Sequence, residues 1–301
     1  RDSRRLGYRI LPDLDEKIID EIITFVNERI KAGIKDLVLL GMGGQSMGNI
    51  ALQEMLVSTL WNYFPQLRKG YPRIHIFDNA ETRDLATHLY KKGLRSDTTD
   101  VYISSKSGDT VETLTNAYFF LNWLEADLGE KEAIKHIVVT TNDGGKGLLY
   151  GFAQGKGIKM WFIPTYKDED APGRYSVLSV SGLVSAAYAG IDIRRLLAGA
   201  KAIQPILMSD NWEQNEAFYS AILAYLAYLK GRNIFILSSF SEKMRSYVDW
   251  LRQLFVESLA KDGKGIFAGV ATGIDSIEAV LTSPDDKVFF VFNYAPESVT
   301  L

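Results

Sequence analysis

Residues 100–114 read DVYISSKSGDTVETL, and their pattern indicates the class of fold. Its opening, VYISS, is a short apolar and β-branched run that predicts a buried strand. Its end, TVETL, begins a helical pattern that continues to Gly129. The polar loop that joins the two, residues 104–110, contains three serines, a lysine, a glycine, an aspartate and a threonine. A strand that runs through a polar loop into a helix is the repeating unit of parallel α/β proteins.

The same order of strand, loop and helix recurs along the chain. Before Pro164, apolar runs alternate with segments of helical periodicity, and the polar segment YKDEDAPG beyond it predicts a linker to a second such set. Strands separated by helices predict parallel pairing with helices on both faces of the sheet. We therefore predict an α/β fold with a weak internal duplication of one α/β unit. The predicted strands are DLVLLGMGG, RIHIF, VYISS, HIVVTT, GIKMWFIP, NIFILSS and KVFFVF.

The composition limits the class of protein. The 301 residues, 47% of them apolar, are enough for two medium domains or one large one. The net charge is −3, and acidic and basic residues are mixed along the chain, which argues against nucleic acid as a partner. The chain has no cysteine, which fits a reducing compartment, so we expect a cytoplasmic protein. No apolar run approaches the ~20 residues of a membrane span. The first residue is Arg1 rather than Met, from which we expect a segment of a longer protein.

The polar loop within residues 100–114 has the composition of an anion-binding site. A helix N-terminus presents unpaired N–H groups and the positive end of the helix dipole. The hydroxyls of Ser105, Ser107 and Thr110 can each donate to a phosphate oxygen, and Lys106 supplies a positive charge. Gly108 lets the backbone curl around the anion. This mixture suits the phosphate monoester of a small molecule.

Helix capping alone is the competing explanation of this loop. Serine, aspartate and threonine are all good N-caps, and Asp109 with Glu112 three residues later resembles a capping box. Asp109 also adds a negative charge to a loop that would hold an anion. We favour phosphate binding over capping alone.

A second loop, GMGGQSMG, comes after the strand DLVLL. Glycines at the end of a strand let the backbone approach a ligand closely, although a tight turn explains them equally well. A dinucleotide-binding fingerprint needs a glycine where Ser46 stands and an acid about 20 residues beyond the strand. The first acid that ends the next strand is Asp78, much further on. A dinucleotide-dependent oxidoreductase is therefore disfavoured.

The segment WLRQLFVESLAKDGKG, residues 250–265, predicts an amphipathic helix. Gln253 and Glu257 lie at i and i+4 on one face of it. A carboxylate partly buried beside the apolar stripe is a candidate general base, because burial raises its pKa. A surface glutamate, or an i,i+4 pair with Lys261, is the simpler alternative. Arg174 lies after a Pro-Gly turn and before a small-residue helix, where a cation could stabilise an anionic intermediate.

Together these motifs resemble the glucose-6-phosphate isomerase family. They occur in the family's order, as GMGGQSMG, ISSKSGDTVET, GRYSVLSVSGL and QLFVESLAKDGKG, over roughly residues 37–292. The continuation ESLAKDGKGI is most similar to the isomerase half of bifunctional transaldolase/glucose-6-phosphate isomerases. The resemblance implies two sugar-isomerase (SIS) domains, each a mainly parallel sheet flanked by helices in three layers, with the active site between them. We place the first domain at 1–165, with the phosphate loop, and the second, incomplete at its C-terminus, at 166–301.

The resemblance also implies a reaction and its residues. Glucose 6-phosphate and fructose 6-phosphate interconvert without a metal or other cofactor, in glycolysis and gluconeogenesis. Glu257 falls on the base that moves a proton between C1 and C2, and Arg174 on the arginine that steadies the enediolate. The intact protein is implied to be a homodimer, with a fused transaldolase domain as a possible further part. The residues implied to bind substrate are Gly43, Gly44, Gln45, Ser105, Lys106, Ser107, Thr110 and Gln253.

Several positions depart from the family pattern. The family has serine where this chain has Gln45, a hydroxyl residue where it has Asp109, and glycine where it has Pro172 and Ala260. The family also opens the sugar ring with a histidine beyond the glutamate, from the neighbouring subunit, and uses a lysine near the C-terminus. No histidine follows His136 here. These departures keep open an alternative, a regulatory SIS protein that binds sugar phosphates without turnover.

Overall fold

The chain forms two compact α/β units. The computed structural model describes residues 6–80, 82–142, 144, 146–164, 171–282 and 286–292, without the side chains at 82–84, 88, 90, 274 and 275. Unit 1 is Arg1–Ala198 and unit 2 is Gly199–Leu301. Each contains a parallel sheet with helices between its strands, so the predicted α/β class is confirmed.

Unit 1 is built on a five-stranded parallel sheet in the order β2-β1-β3-β4-β5. The strands are β1 Asp36–Leu40, β2 Arg73–Phe77, β3 Thr99–Ser104, β4 Ile137–Asn142 and β5 Lys159–Ile163. The first five helices are α1 Glu16–Lys31, α2 Met47–Leu56, α3 Pro65–Arg68, α4 Thr82–Lys92 and α5 Val111–Leu128. The next four are α6 Glu130–Ala133, α7 Leu148–Lys156, α8 Val180–Tyr188 and α9 Ile193–Leu207, and the unit boundary falls within α9.

Both faces of the first sheet are covered, which explains the continuous apolar runs of its strands. All five residues of β1 are buried. Because side chains alternate along a strand, Val38 and Leu40 join one core with residues of α5 and α7. On the other face, the hydroxyl of Tyr102 in β3 donates to the carbonyl oxygen of Ser181 in α8 (3.0 Å).

A buried carboxylate at the start of β3 connects two helices to that second face. Asp100, 1% exposed, accepts two hydrogen bonds from the guanidinium of Arg29 in α1, at 2.9 and 2.6 Å. It also accepts one from the hydroxyl of Tyr188 in α8 (2.6 Å). Burial, together with the negative charge of Asp100, raises the pKa of Tyr188 well above its ordinary value. A buried charge held this way destabilises the fold strongly when one partner is removed.

Helix α8 lies on the first sheet. All of its residues are buried, and it contacts β1, β4 and β5. A Cβ on Gly182 would lie 1.9 Å from the carbonyl oxygen of Val177, so only glycine allows this approach. Residues 173–198 therefore pack within unit 1, whereas the sequence prediction placed a domain boundary after residue 165. The predicted linker lies largely outside the described residues, and α8, the first α-helix beyond it, covers the first sheet.

Unit 2 contains a three-stranded parallel sheet in the order β7-β6-β8. Its strands are β6 Ile234–Ser239, β7 Phe267–Thr272 and β8 Lys287–Val291, and its further helices are α10 Glu216–Leu229, α11 Arg245–Leu259 and α12 Ile274–Leu281. The core centres on Leu237, Val248 and Ala268. The sequence prediction missed β7, because FAGVAT contains small residues instead of a continuous apolar run. Across the described residues, no helix is both long and apolar enough to cross a membrane.

Candidate active site

The topology of unit 1 determines where a ligand can bind. In a sheet of order 2-1-3-4-5 the chain winds in opposite directions from β1 and from β3, and ligands of such sheets generally bind outside the carboxyl ends of these two neighbouring strands. Two loops border this edge. Residues 41–45, here called the glycine loop, come after β1, and residues 105–110, the anion loop, come after β3. The two loops that the sequence analysis singled out therefore lie side by side.

The anion loop folds back so that its hydroxyls converge. The Oγ of Ser105 lies 3.2 Å and the Oγ of Ser107 lies 3.5 Å from the Oγ1 of Thr110. The backbone N–H of Gly108, at φ +75°, donates to Ser105 (3.2 Å), and that of Asp109 donates to Ser107 (3.3 Å). Three hydroxyls thus gather at the N-terminus of the 18-residue helix α5.

The hydrogen bonds of this loop do not support helix capping as its whole explanation. The N-cap residue of α5 is Thr110, and its side chain makes no capping hydrogen bond. Asp109 does not close a capping box on α5, because its carboxylate accepts from the backbone N–H of Leu148, the first residue of α7 (2.8 Å). The negative charge that looked awkward beside an anion therefore lies at the N-terminus of a different helix.

The loop is anchored through its backbone. The carbonyl oxygen of Lys106, a half-buried residue, accepts from the backbone N–H of Asn142 (3.2 Å) and from the hydroxyl of Thr141 (3.4 Å) in β4. Gly147 packs on the loop so closely that a Cβ there would lie 2.6 Å from the carbonyl oxygen of Ser107. These contacts fix the backbone of the loop against β4 and against the residue that precedes α7.

The glycine loop brings an arginine to the same edge of the sheet. Gly43 has φ +52°, and a Cβ on Gly44 would lie 2.3 Å from the backbone nitrogen of Arg174. The 3-10 turn Gly173–Leu178, here called the Arg174 turn, therefore packs directly on the loop. The Arg174 guanidinium lies 5.2 Å from the ring centre of Tyr175, which stacks on Tyr8. Burial, with a smaller effect of Tyr175, raises the pKa of Tyr8.

Gln45, one of the predicted binding residues, has a buried side chain that bonds to other residues of unit 1. Its side chain is 6% exposed and forms hydrogen bonds with Ser104, Ser176 and Ser181. The sequence analysis did not select these three serines. The segment SVLSVSGLVS, from Ser176 onward, has recurring serines that could have indicated a polar cluster. The same segment is equally typical of a buried helix of small residues.

The predicted base lies in unit 2, on α11. The Nε2 of Gln253 donates to the Oε1 of Glu257 (2.8 Å), which confirms that the two share one helical face. Glu257 is exposed, so the partial burial expected from the apolar stripe is absent. The alternative pair with Lys261 loses its helical spacing, because α11 ends at Leu259 and Lys261 belongs to the next turn.

Comparisons with known proteins agree with the motifs. The profile of a family described as Phosphoglucose isomerase matches residues 14–279. Glucose-6-phosphate isomerase of Staphylococcus saprophyticus is 34% identical over 271 residues, covering 88% of this chain and 58% of the relative. The solved structure of a hypothetical protein from Thermus thermophilus has a TM-score of 0.82 and 30% identity, covering 97% of this chain and 66% of that one. Glucose-6-phosphate isomerase from Chlamydia trachomatis, with a TM-score of 0.69, 18% identity and coverage of 92% and 55%, supports the fold alone.

The match extends across both units, from before α1 into α12. The chain spans 58% of the length of the curated relatives that it matches. The family profile, the named relatives and the order of the four motifs agree with one another. The chain therefore belongs to the phosphoglucose isomerase family.

Proposed function

We propose that this chain carries out the sugar-phosphate isomerisation of its family, the interconversion of glucose 6-phosphate and fructose 6-phosphate through an enediolate. The observation that supports this most is the anion loop, where three hydroxyls meet at the N-terminus of a long helix beside Lys106. That arrangement suits a compact anion with several oxygens. The 6-phosphate of a hexose is such a group.

Phosphate binding comes first in the proposal. A phosphate monoester carries a charge of about −1.5 to −2 at pH 7 and three acceptor oxygens. Ser105, Ser107 and Thr110 donate to these oxygens, and the Lys106 ammonium and the dipole of α5 stabilise the charge. Gly43 and Gly44 let the backbone approach the sugar. Because the phosphate takes no part in the chemistry at C1 and C2, this step supplies affinity and orientation.

Proton transfer is the second step, with Glu257 as the base. Its carboxylate removes the proton from C2 of the open-chain aldose, the C–H electron pair forms the C1=C2 bond, and the carbonyl oxygen at C1 becomes negative. Arg174 stabilises that charge. Return of the proton to C1, with transfer of a hydroxyl proton from O2 to O1, yields the ketose. Gln253 orients the base, which its hydrogen bond to Glu257 supports.

The remaining elements of the proposal rest on the resemblance. We propose two SIS domains, which the resemblance places at 1–165 and 166–301, although residues 173–198 pack with the first sheet. We also propose that the intact protein is a homodimer, that it is cytoplasmic and that it carries a fused transaldolase domain, the last from the segment ESLAKDGKGI. Chemical cross-linking and sedimentation of the purified intact protein test the dimer, which a single monomeric species would contradict.

A second function, sugar-phosphate binding without turnover, has one observation in its favour. Glu257 is exposed, whereas a general base beside an apolar stripe is expected to be partly buried. A chain whose carboxylate does not act as a base would bind sugar phosphates and turn them over poorly or not at all. The two functions differ in turnover, while both require the anion loop.

A coupled assay of fructose 6-phosphate conversion to glucose 6-phosphate separates them. The assay uses the whole chain and the variant Glu257→Gln, which keeps the shape of the side chain and removes its basicity. Turnover that is lost in Glu257→Gln, with fructose 6-phosphate binding retained, supports the isomerase. Binding without turnover in both proteins supports the second function. Absence of both binding and turnover rejects the two together.

A further inference from the structure

A buried polar cluster lies beneath the candidate site of unit 1, centred on Gln45. The Oε1 of Gln45 accepts hydrogen bonds from the hydroxyls of Ser104 (2.8 Å) and Ser181. Its Nε2 donates to the Oγ of Ser176 (3.2 Å). The hydroxyls of Ser104 and Ser181 are also within hydrogen-bond distance of each other (2.8 Å). All four side chains are buried.

The three serines belong to three different segments. Ser104 is the last residue of β3, immediately before the anion loop. Ser176 lies in the Arg174 turn, two residues beyond the arginine, and Ser181 lies in the first turn of α8. Gln45 is 59 positions from Ser104 and 131 from Ser176 along the chain. One amide therefore connects the glycine loop, the start of the anion loop and the turn that carries Arg174.

The geometry leaves this amide little capacity for a ligand. A glutamine oxygen has two acceptor sites, and Ser104 and Ser181 occupy both. A Cβ on Gly173 would lie 3.0 Å from the Nε2 of Gln45, so the Arg174 turn rests directly on the amide. A side chain that is buried, saturated at its oxygen and in contact with the turn acts on the substrate only through its neighbours.

We propose that Gln45 is a positioning residue, which holds the Arg174 turn in register with the anion loop; this inference rests on the proposed function. A fully satisfied buried polar network makes its surroundings rigid. Removal of the amide takes one hydrogen bond from each of three buried hydroxyls and breaks the link between the glycine loop and the Arg174 turn, so the turn shifts or loosens. A displacement of about 1 Å in a group that stabilises the transition state costs on the order of 100-fold in rate.

The test is Gln45→Met, which keeps the length of the side chain and removes its hydrogen bonds. We expect kcat to fall at least about tenfold, because Arg174 stabilises the transition state. We expect KM for fructose 6-phosphate to change less than about threefold, because Lys106 and the loop hydroxyls remain. A rise in KM equal to the fall in kcat would overturn the proposal.

A matched control separates positioning from general destabilisation. Asn62 forms two hydrogen bonds with the backbone of Ile74, at 2.7 and 2.8 Å, at the opposite end of the strands. Asn62→Leu also removes side-chain amide hydrogen bonds from unit 1, and we expect it to lower stability without changing kcat.

Amide hydrogen exchange gives a readout that does not need turnover. In Gln45→Met we expect the backbone amides of Gly173–Leu178 to exchange at least about tenfold faster than in the parent chain, and in Asn62→Leu at the parent rate. Unchanged exchange in Gln45→Met rejects the positioning role. If the parent chain has no turnover, the proposed isomerase fails, and the exchange of this segment still decides the role of Gln45.

Discussion

Replacing Lys106 with methionine tests the anion loop most directly. The change keeps an unbranched side chain of similar length and removes the positive charge. A hydrogen bond to a charged group contributes about 1.5–3 kcal/mol, and 1.4 kcal/mol corresponds to about tenfold in affinity. Because Lys106 is only half-buried and solvent screens its charge, we expect the lower part of that range, a loss of about 10- to 30-fold in affinity for fructose 6-phosphate.

Titration calorimetry with fructose 6-phosphate measures this loss whether or not the chain turns the sugar over. Where turnover is present, KM should rise by the same factor with kcat nearly unchanged, since the phosphate is held equally in the ground and transition states. The affinity of the parent chain should fall more steeply with salt than that of Lys106→Met. Lys131→Met, on the exposed surface of α6, controls for the change in net charge. Equal affinity in Lys106→Met and the parent would refute the anion-loop assignment.

Three further substitutions test the packing at Gly44 and the ion pairs of the buried carboxylates Asp100 and Asp36. Gly44→Ala forces a Cβ into the backbone of the Arg174 turn and should cut kcat at least about tenfold, whereas Gly151→Ala, in an open position on α7, should leave kcat unchanged. Arg29→Leu removes the guanidinium that pairs with the buried Asp100 and should lower the free energy of unfolding by about 3–5 kcal/mol, measured in urea, with partial recovery when Asp100→Asn is added. Burial alone would raise the pKa of Asp36, but hydrogen bonds from His75 and Arg73 outweigh it and lower that pKa. The stabilisation that the Asp36 carboxylate gives the fold is therefore complete above about pH 4, its pKa in the unfolded chain. This stabilisation is lost as the pH falls through the lower pKa of the folded protein. Asp36→Asn should destabilise the protein at pH 7 and progressively less as the pH falls below about 4.

The sequence predicts well where one local rule is sufficient. The run DLVLL predicts a fully buried strand, and all five residues of β1 are buried. The spacing of Gln253 and Glu257 predicts a shared helical face, and their hydrogen bond confirms it. Burial of Glu257 could not be predicted this way. An apolar stripe shows which face of a helix turns inward, but it does not show how far the covering elements extend over a neighbouring position.

Contacts between distant segments explain most of what the sequence analysis missed. Gln45 looks like a loop residue beside glycines, and only the packing of α8 on the sheet reveals that Ser181, 136 positions away, bonds to its amide. The extent of unit 1 depends on the same packing. A polar segment after Pro164 reads as a linker to a new domain, although the next α-helix belongs to the first sheet.

The orientation of Asp109 separates an anion site from a simple helix cap. A loop that served only to cap α5 would use its nearest carboxylate on the first turn of that helix, since acidic groups are stabilising there. Asp109 instead caps α7, and the three hydroxyls beside it surround an N-terminus that the N-cap side chain does not occupy. The same carboxylate fixes the shape of the loop by binding it to α7. The position of Asp109 on another helix therefore supports the proposal that the N-terminus of α5 receives an anion from outside the chain.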